Sequence, residues 1–515
     1  MMIRISCAKC VGIEAVPVTV EVDVTLGIGI HLVGLADAAV KESLLRTVTA
    51  LQAVGFRIPG KKIVINLAPA DMHKKGGGYD LPIALGIVAA SGQMELPKLG
   101  EYLIMGELSL DGSIRPVSGA LSMAELAESM GLKGCIFPAE SAEEASRFKD
   151  FPIYGVRTLL DAIRILNGEN ADELLQPRQL IWSGENENQY MDFSQIIGQE
   201  GAKRGLEIAA AGGHNVIMIG APGAGKTSLA KAMAGILPPI SEDEARLVCK
   251  IYSAAGKDAA SFGLMRRRPF RSPHHSISLP AMIGGGSGEN ILPGEVSLAS
   301  GGVLFLDEFA QMPKSITEAL RGPIEDRKVV ISRLQSKVVY PSSFMLVAAS
   351  NPCPCGYFGE KDRCTCTPAQ RLAYLGRLSG PIMDRIDIQL WIHPVESDKL
   401  IAGHRRKISP SESSAVVAAR VLEARKIQYG RFSCHKTNSE MNAGELQKYC
   451  QLSPEGDKIL ETIIEKMGFS ARAFSRIIKL SRTIADLEGC SRIEVRHLLE
   501  ASSFRFLDRY TFELF

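Results

Sequence analysis

The sequence predicts a multidomain α/β protein that ends in an all-helical region. Its 515 residues exceed what a single hydrophobic core usually serves. Short β-like runs alternate with helical patterns over residues 1–168 and again over 192–400, as in packed α/β domains. Over residues 401–515, apolar residues recur with a helical period. The polar segment 169–191, rich in Asn and Glu, is expected to link the first two domains.

The composition excludes several classes of protein. Hydrophobic residues make up 46% of the chain and charged residues 23%, which is ordinary for a globular protein. No apolar run approaches the roughly 18 residues of a membrane-spanning helix. The N-terminus lacks a signal-peptide pattern, so we expect a cytoplasmic protein. The net charge is only +2, so any binding to nucleic acid must rest on local basic patches.

The most specific motif is GAPGAGKT, residues 220–227, which follows an apolar strand-like run and opens a helical pattern. Its glycines let backbone N–H groups surround phosphate at a helix N-terminus. In this motif the lysine reaches the β- and γ-phosphates, and the threonine ligates Mg²⁺. The motif therefore predicts an ATP site formed by Gly220, Gly223, Gly225, Lys226, Thr227 and Ser228.

Two further apolar runs end in polar residues suited to ATP hydrolysis. GGVLFLDEF ends in Asp307, expected to bind Mg²⁺ beside Thr227, and Glu308, expected to polarise the attacking water. FMLVAASN ends in Asn351, which is suited to holding that water. Together with the P-loop, these residues predict an ATPase.

Three arginines are candidates for binding phosphate. Arg385 lies between a helical and a strand pattern, where it could stabilise charge on a neighbouring subunit's γ-phosphate; the alternative is a salt bridge with Asp384 or Asp387. Arg472 and Arg476 are one helical turn apart, so one helix face can present both to phosphate.

Four of the eleven cysteines form a compact pattern: Cys353, Cys355, Cys364 and Cys366. Four thiolates within 14 residues can close tetrahedrally on Zn²⁺, and free thiols are the alternative. Because the cluster begins two residues after Asn351, a metal ion there could brace that strand end. The adjacent His274 and His275 are poor joint metal ligands, so we expect them to be structural or to lie beside the nucleotide.

The order of these motifs resembles AAA+ ATPases of the magnesium-chelatase and MCM branch. The resemblance to the YifB/ComM group covers nearly the whole chain, through strings such as VGLADAAVKES, DFSQIIGQEGAKRGLEIAAAGGHNV, RPFRSPHHSIS and NPCPCGY. It implies an AAA+ core at 192–400 and a helical lid at 401–515. It also implies that Asn351 is sensor 1, that Arg385 is an arginine finger acting in trans, and that Arg472 is sensor 2. Trans action implies a homo-oligomeric ring, a hexamer.

Residues 1–168 resemble the Lon-protease-like domain, of ribosomal-S5-like fold, that opens proteins of this family. Lon proteolysis uses a Ser/Lys dyad. The sequence has Gly77 where the serine would stand and Leu121 near the lysine position. We therefore expect an inactive domain that serves as a scaffold or binding element.

Residues 328–341 form two alternating runs around a short turn, and in this branch of the family such a hairpin projects into the ring pore. The resemblance then implies that Arg333 and Lys337 contact DNA. The alternative is that the hairpin packs between subunits.

The leading hypothesis is an ATP-driven hexameric motor on DNA, with the group's role in branch migration of recombination intermediates during natural transformation. A magnesium-chelatase motor subunit and a protein-remodelling chaperone are the alternatives. The presence of the N-terminal domain argues against a chelatase subunit. The missing dyad argues against an ATP-dependent protease.

Overall fold

The computed structural model describes residues 2–34, 38–72, 74, 76–147, 151–177, 190–257, 267–287, 290–333, 336–360, 363–378, 380–395, 412–467 and 471–507. The chain divides into two compact units, Met1–Ser183 with Glu242–Met265, and Gly184–Ser241 with Arg266–Phe515. Within the predicted linker 169–191, residues 178–189 lie outside the described residues.

The strands in chain order are β1 (Ile3–Val11), β2 (Glu14–Thr25), β3 (Gly29–Val33), β4 (Lys62–Ala68), β5 (Tyr102–Ile104), β6 (Glu107–Leu108), β7 (Ile114–Arg115), β8 (Gly134–Pro138), β9 (Ile153–Val156), β10 (Val216–Gly220), β11 (Phe270–Arg271), β12 (Gly284–Ser287), β13 (Asn290–Pro293), β14 (Val303–Leu306), β15 (Lys328–Arg333), β16 (Ser336–Pro341), β17 (Met345–Ser350) and β18 (Ile388–Ile392). The helices are α1 (Ala38–Ala53), α2 (Asp80–Ala90), α3 (Ala120–Ser129), α4 (Ala139–Ser146), α5 (Leu159–Asn167), α6 (Glu200–Gly212), α7 (Lys226–Gly235), α8 (Glu242–Ala254), α9 (Leu279–Ile283), α10 (Glu295–Leu298), α11 (Lys314–Ala319), α12 (Arg321–Asp326), α13 (Pro368–Leu375), α14 (Gly380–Met383), α15 (Ser414–Phe432), α16 (Ala443–Tyr449), α17 (Pro454–Met467), α18 (Ala471–Leu487) and α19 (Val495–Ser503). These bounds confirm the mixed α/β class.

The first unit is built on a seven-stranded mixed sheet of order β3-β4-β2-β1-β5-β8-β9. Alternate residues of β2 are buried, and the helix α2 is buried along nearly its whole length because its residues are almost all apolar. Gly86 of α2 allows this close packing, since a Cβ there would lie 2.5 Å from Val22 Cγ2.

The position expected to replace the Lon serine lies in a charged cluster of this unit. A Cβ on Gly77 would lie 2.7 Å from both Arg46 Nη2 and Glu107 Cδ. Arg46 in turn pairs with the buried Asp80, with Nε 3.1 Å from Oδ2. Any side chain at position 77 would therefore displace these charges. Leu121 is fully buried in the core.

The helix α8 packs within the first unit although it lies between α7 and β11 in the sequence. Ser253 Oγ accepts a hydrogen bond of 2.8 Å from Gly119 N, and Lys250 pairs with Glu125. Its buried face includes Val248, Ile251 and Tyr252. The first unit thus includes a segment from beyond the P-loop.

The second unit contains a five-stranded sheet of order β11-β14-β17-β10-β18, and all its strands run parallel. Strands β10, β14 and β17 are buried throughout, which is why the sequence reads there as continuous apolar runs. Because the strands are parallel, the loops that follow them leave from one edge of the sheet. The P-loop, Asp307 and Asn351 lie at that edge.

The C-terminal helices confirm the predicted helical region. They pack on α6 and are held by buried ion pairs, such as Arg431 Nη2 with Asp486 Oδ1 at 2.5 Å. Arg482 bonds to the same carboxylate and to two backbone carbonyls. Among the described residues, none of the helices combines the length and the apolar character needed to cross a bilayer.

Candidate nucleotide site

The P-loop connects the end of β10 to the start of α7, as the motif predicts. Gly223 has φ +78° and Gly225 has φ +92°, in the left-handed region that glycine adopts without strain. Lys226 opens the helix, and Ser228 lies in its first turn. The first N–H groups of α7 have no partners within the helix, so they can bind anionic oxygens.

Lys226 is buried and lies among oxygen atoms. Its Nζ donates to Gly220 O at 2.6 Å, to Ala221 O at 3.0 Å and to Asn351 Oδ1 at 3.2 Å. Burial lowers the pKa of Lys226 from its usual value. The lysine on the loop and the asparagine at the end of β17 are thus in direct contact.

Thr227 and Asp307 provide oxygen ligands that suit Mg²⁺. Thr227 Oγ1 donates to Asp307 Oδ2 at 3.1 Å, and the other carboxylate oxygen accepts from Glu308 N at 2.9 Å. A hydroxyl and a carboxylate are hard donors, as this ion requires. The structure thus brings together two residues that are 80 positions apart in the sequence.

Glu308 has a partner that the motifs did not identify. His275 Nδ1 lies 3.0 Å from Glu308 Oε2, and the His275 ring lies next to that of His274, with centroids 4.1 Å apart and the two planes tilted by 34°. Glu308 has φ +51°, which is uncommon for a residue with a side chain and is frequent at functional sites. The loop containing His275 follows β11, the neighbour of β14 in the sheet. The sequence does not give this strand order, so it could not predict the contact between His275 and Glu308.

An aromatic cavity of about 800 Å³ opens at the same edge of the sheet. Trp391 pairs in register with Ile219 of β10 and forms edge contacts with Phe358 and Phe506, at ring-centroid distances of 6.4 and 5.9 Å. Gln199 closes the cavity with a hydrogen bond to His393 O. The size and the aromatic lining suit a planar base. The sequence analysis did not identify these residues.

Arg385 and Arg472 line a different cavity, of about 710 Å³. Asn215, which precedes β10, also lines it, and its Nδ2 donates to Arg385 O at 3.0 Å. The P-loop follows β10, and a strand of five residues spans roughly 15 Å. The two arginines therefore lie at the edge of the sheet opposite their own P-loop.

The structure does not show the salt bridges that the sequence offered as the alternative role for Arg385. Arg385 pairs with Glu325 and donates to Pro381 O at 2.7 Å, rather than pairing with Asp384 or Asp387. Asp387 pairs instead with Arg476. Arg472 is exposed, so of the two lid arginines it is the one available to a ligand.

The four cysteines come together as a candidate metal centre. The Sγ of Cys353 lies 3.3 Å from that of Cys355 and 3.8 Å from that of Cys364, and all four sulfur atoms lie within 4.8 Å of one another. Tetrahedral Zn²⁺ with bonds of about 2.3 Å requires sulfur atoms about 3.8 Å apart. Backbone N–H donors, first that of Tyr357, lower the pKa of Cys355 to about 6, whereas burial raises that of Cys353 to about 12.

The hairpin β15–β16 has the two predicted strands, and residues 334–335 between them lie outside the described residues. Its register pairs Arg333 with Ser336 and Ser332 with Lys337. Arg333 and Lys337 therefore point to opposite faces of the hairpin. Lys337 lies on the exposed face.

The other face of the hairpin, which carries Arg333, packs against the second hairpin, β12–β13. Buried Tyr340 donates there to Ile291 O at 2.7 Å. Arg333 itself is exposed at the end of β15, so the two basic residues are both accessible but lie on different faces of the hairpin.

A P-loop, an Asp–Glu pair and a polar strand end on one edge of a parallel sheet, with a helical region after it, define a P-loop nucleotide-binding protein of the AAA+ class. The chain belongs to the YifB/ComM family of magnesium-chelatase-like AAA+ proteins. Membership in this family indicates an ATPase that uses ATP and Mg²⁺.

The evidence for the family is similarity along the whole chain. The model described as "Magnesium chelatase, subunit ChlI" matches residues 192–400, "Subunit ChlI of Mg-chelatase" matches 20–141, and "Magnesium chelatase, subunit ChlI C-terminal" matches 411–505. YifB of Salmonella typhimurium is 43% identical over 505 residues, 98% of this chain and 97% of the relative. Competence protein ComM of Haemophilus influenzae is 41% identical over 504 residues, 97% of this chain and 96% of the relative.

A shorter similarity links the chain to Lon proteases. Archaeal Lon protease of Halobacterium salinarum is 33% identical over 102 residues, which are 20% of this chain and 14% of that protein. Part of the chain is therefore Lon-like.

Proposed function

We propose that the protein is a cytoplasmic ATP-hydrolysing motor that assembles into a hexameric ring and promotes branch migration of DNA, as its resemblance to ComM suggests. The position of two arginines is the most direct support for a ring. Arg385 and Arg472 lie together at the edge of the sheet opposite the P-loop. They can reach a γ-phosphate only if it belongs to another subunit.

Within one subunit, each residue at the P-loop edge has a separate task. Lys226 and the N–H groups of α7 bind the phosphates, and Thr227 with Asp307 holds Mg²⁺. The ion, when bound, neutralises charge on the phosphate oxygens. Glu308 accepts a proton from the attacking water while His275 orients its carboxylate, and Asn351 fixes the position of the water. Trp391 and Phe358 enclose the base.

The neighbouring subunit completes the site. Arg385 brings its guanidinium to the developing negative charge, and Arg472 binds the same phosphate from the lid. In the isolated chain Arg385 pairs with Glu325, which is half exposed. Assembly of the ring would exchange that carboxylate for phosphate.

The hairpin β15–β16 supplies the proposed DNA contact. Its exposed face combines Lys337 and Lys328 with Val330 and Val339 between them. Lysines attract phosphates, while the valines offer apolar contact to sugar and base. Arg333 could bind only a strand that passes the other face of the hairpin.

A zinc ion in the cysteine cluster is part of the proposal, supported by the sulfur spacing.

A chelatase subunit and a protein-remodelling chaperone are the competing functions. The family model over residues 20–141 is itself named for the chelatase subunit. The N-terminal region therefore does not by itself separate these functions. Dependence of the ATPase rate on DNA does.

The decisive experiment measures ATP hydrolysis without DNA and with single-stranded or forked DNA. We expect DNA to stimulate the rate, Lys226→Ala to abolish turnover, and Glu308→Gln to bind ATP without hydrolysing it. Lys314→Ala, which removes an exposed lysine outside the site, is the control and should behave as wild type. A normal rate in Glu308→Gln would refute the catalytic assignment. A wild-type rate indifferent to DNA would favour a protein-remodelling ring.

A further inference from the structure

The cysteine loop, which we define as residues 351–360 and 363–366, contacts the P-loop through two of its residues. Its first residue, Asn351, accepts a hydrogen bond from Lys226 Nζ at 3.2 Å. Its turn, at Gly356, lies against Pro222 of the P-loop. A Cβ on Gly356 would lie 2.8 Å from Pro222 Cδ and 2.9 Å from Cγ. The loop therefore contacts both the lysine and the backbone turn that bind phosphate.

The turn at Gly356 is formed by the cysteines themselves. Gly356 N donates to Cys353 O at 3.0 Å, and Gly356 has φ +87°, which favours glycine. Across the loop, Cys355 N donates to Cys366 Sγ at 3.4 Å, so the second cysteine pair closes over the first. The position of Gly356 thus depends on how the two pairs are held together.

We propose that a zinc ion bound by Cys353, Cys355, Cys364 and Cys366 braces the P-loop, so that occupancy of the metal centre sets the affinity for ATP. This inference deepens the proposed function and rests on it. The bound metal would be a structural part of the nucleotide site rather than a distant element of the fold.

A bound metal ion acts here as a cross-link. It joins the two cysteine pairs across eight intervening residues and so restricts the loop that includes Gly356. Without the ion, the loop gains conformations in which Gly356 leaves Pro222 and Asn351 leaves Lys226. Asp307 and Glu308 follow a different strand, β14. Loss of the ion should therefore leave those two side chains in place, weaken nucleotide binding, and slow the chemical step only through Asn351.

The first test removes two ligands on the side of the cluster away from the P-loop contact. In the double variant Cys364→Ser with Cys366→Ser, we expect zinc to fall from about one ion per chain to near zero. The Kd for a fluorescent ATP analogue should rise at least about tenfold. Cys434→Ser, an exposed cysteine outside the cluster, is the control and should leave zinc content and Kd unchanged.

The second test keeps the metal and disturbs the contact. Gly356→Ala places a methyl group against Pro222, so the Kd should rise while the zinc content stays at one per chain. Gly489→Ala is the matched control, because Gly489 also has a left-handed φ, +69°, and a Cβ there meets no atom within 4 Å. Gly489→Ala therefore introduces a similar backbone strain without a contact like that between Gly356 and Pro222.

A third arm covers the case in which the cysteine variants do not fold. Wild-type protein is stripped of metal with a chelator, dialysed, returned to Mg²⁺, and then reloaded with Zn²⁺ alone. Stripping should raise the Kd, and reloading should restore it.

Each part of the inference can fail separately. An unchanged Kd in metal-free protein overturns the brace, and wild-type protein without zinc overturns the metal centre. Equal effects of the two glycine variants overturn the contact. A zinc-loaded protein that binds the analogue normally but does not hydrolyse ATP counts against the proposed ATPase alone.

Discussion

His275 is placed to orient the carboxylate expected to activate the attacking water. With Nδ1 3.0 Å from Glu308 Oε2, it restricts the rotation of that side chain. We expect His275→Ala to lower kcat about tenfold, close to 1.4 kcal/mol of barrier, with KM for ATP changed less than about threefold. Steady-state kinetics would separate the effect on kcat from the effect on KM.

The conservative variant His275→Asn keeps a hydrogen-bond donor and should recover part of the rate. His274→Ala is the control, because His274 Nδ1 bonds to Ser276 Oγ and not to Glu308. If KM rose while kcat held, His275 would act on the nucleotide and not on Glu308.

Asp387 is the second residue whose role depends on its partners. It is buried between Arg476 and His214, and Asn215 N donates to its Oδ2 at 3.1 Å. Although burial opposes ionisation, Arg476 and these other contacts together hold the pKa of Asp387 far below its usual range. A depressed pKa in the folded state stabilises the fold above the unfolded-state pKa, and this contribution is lost as the pH falls towards the folded value.

We therefore expect Asp387→Asn to destabilise the second unit by about 3 kcal/mol, because Arg476 loses its buried partner. The deficit in melting temperature should stay constant from pH 8 to pH 5. It should narrow only below about pH 4, where the wild type begins to lose the same contribution. Calorimetric scans across that range measure it, with Asp384→Asn as the control. A deficit that changed between pH 8 and pH 6 would contradict this account.

At the scale of elements, the hairpin β15–β16 shows what a period-2 pattern can and cannot predict. The alternation predicted both strands, and the structure contains them. The faces of Arg333 and Lys337 depended on the length of the turn, because a shift of one residue moves a side chain to the opposite face. With Arg333 opposite Ser336, the two basic residues separate.

That separation leads to a prediction about which face meets DNA. We expect Lys337→Ala to weaken DNA binding and to reduce the slope of log K against log salt by about one, because one phosphate contact is lost. Arg333 is also exposed, but it belongs to the face that packs against β12–β13, so Arg333→Ala should change the slope much less. Fluorescence anisotropy at several salt concentrations measures both. The reverse ranking would assign the DNA to the other face.

At the scale of the whole molecule, local motifs predicted each loop of the ATP site but not how the loops meet. The P-loop, Asp307 and Asn351 could be identified because each follows an apolar run. The contacts between His275 and Glu308, and between Gly356 and Pro222, depend on strand order and on loop paths that join distant residues. Nor did any feature of the sequence indicate that α8 belongs to the first unit, since an amphipathic helix does not specify its partner.

The ring itself can be tested by mixing two inactive variants. Lys226→Ala cannot use its own P-loop but still presents Arg385, whereas Arg385→Ala keeps the P-loop and lacks the finger. If the arginine acts in trans, a mixed ring contains interfaces in which an intact P-loop faces an intact Arg385. In a random equal mixture, about one interface in four is complete, so co-assembled protein should recover up to about a quarter of the wild-type ATPase rate, whatever the number of subunits. A mixture of Lys226→Ala with Glu308→Gln, which both damage the P-loop edge, is the control and should stay inactive. No recovery in the first mixture, at a protein concentration where the ring is seen by light scattering, would place both functions in one subunit and refute the trans assignment.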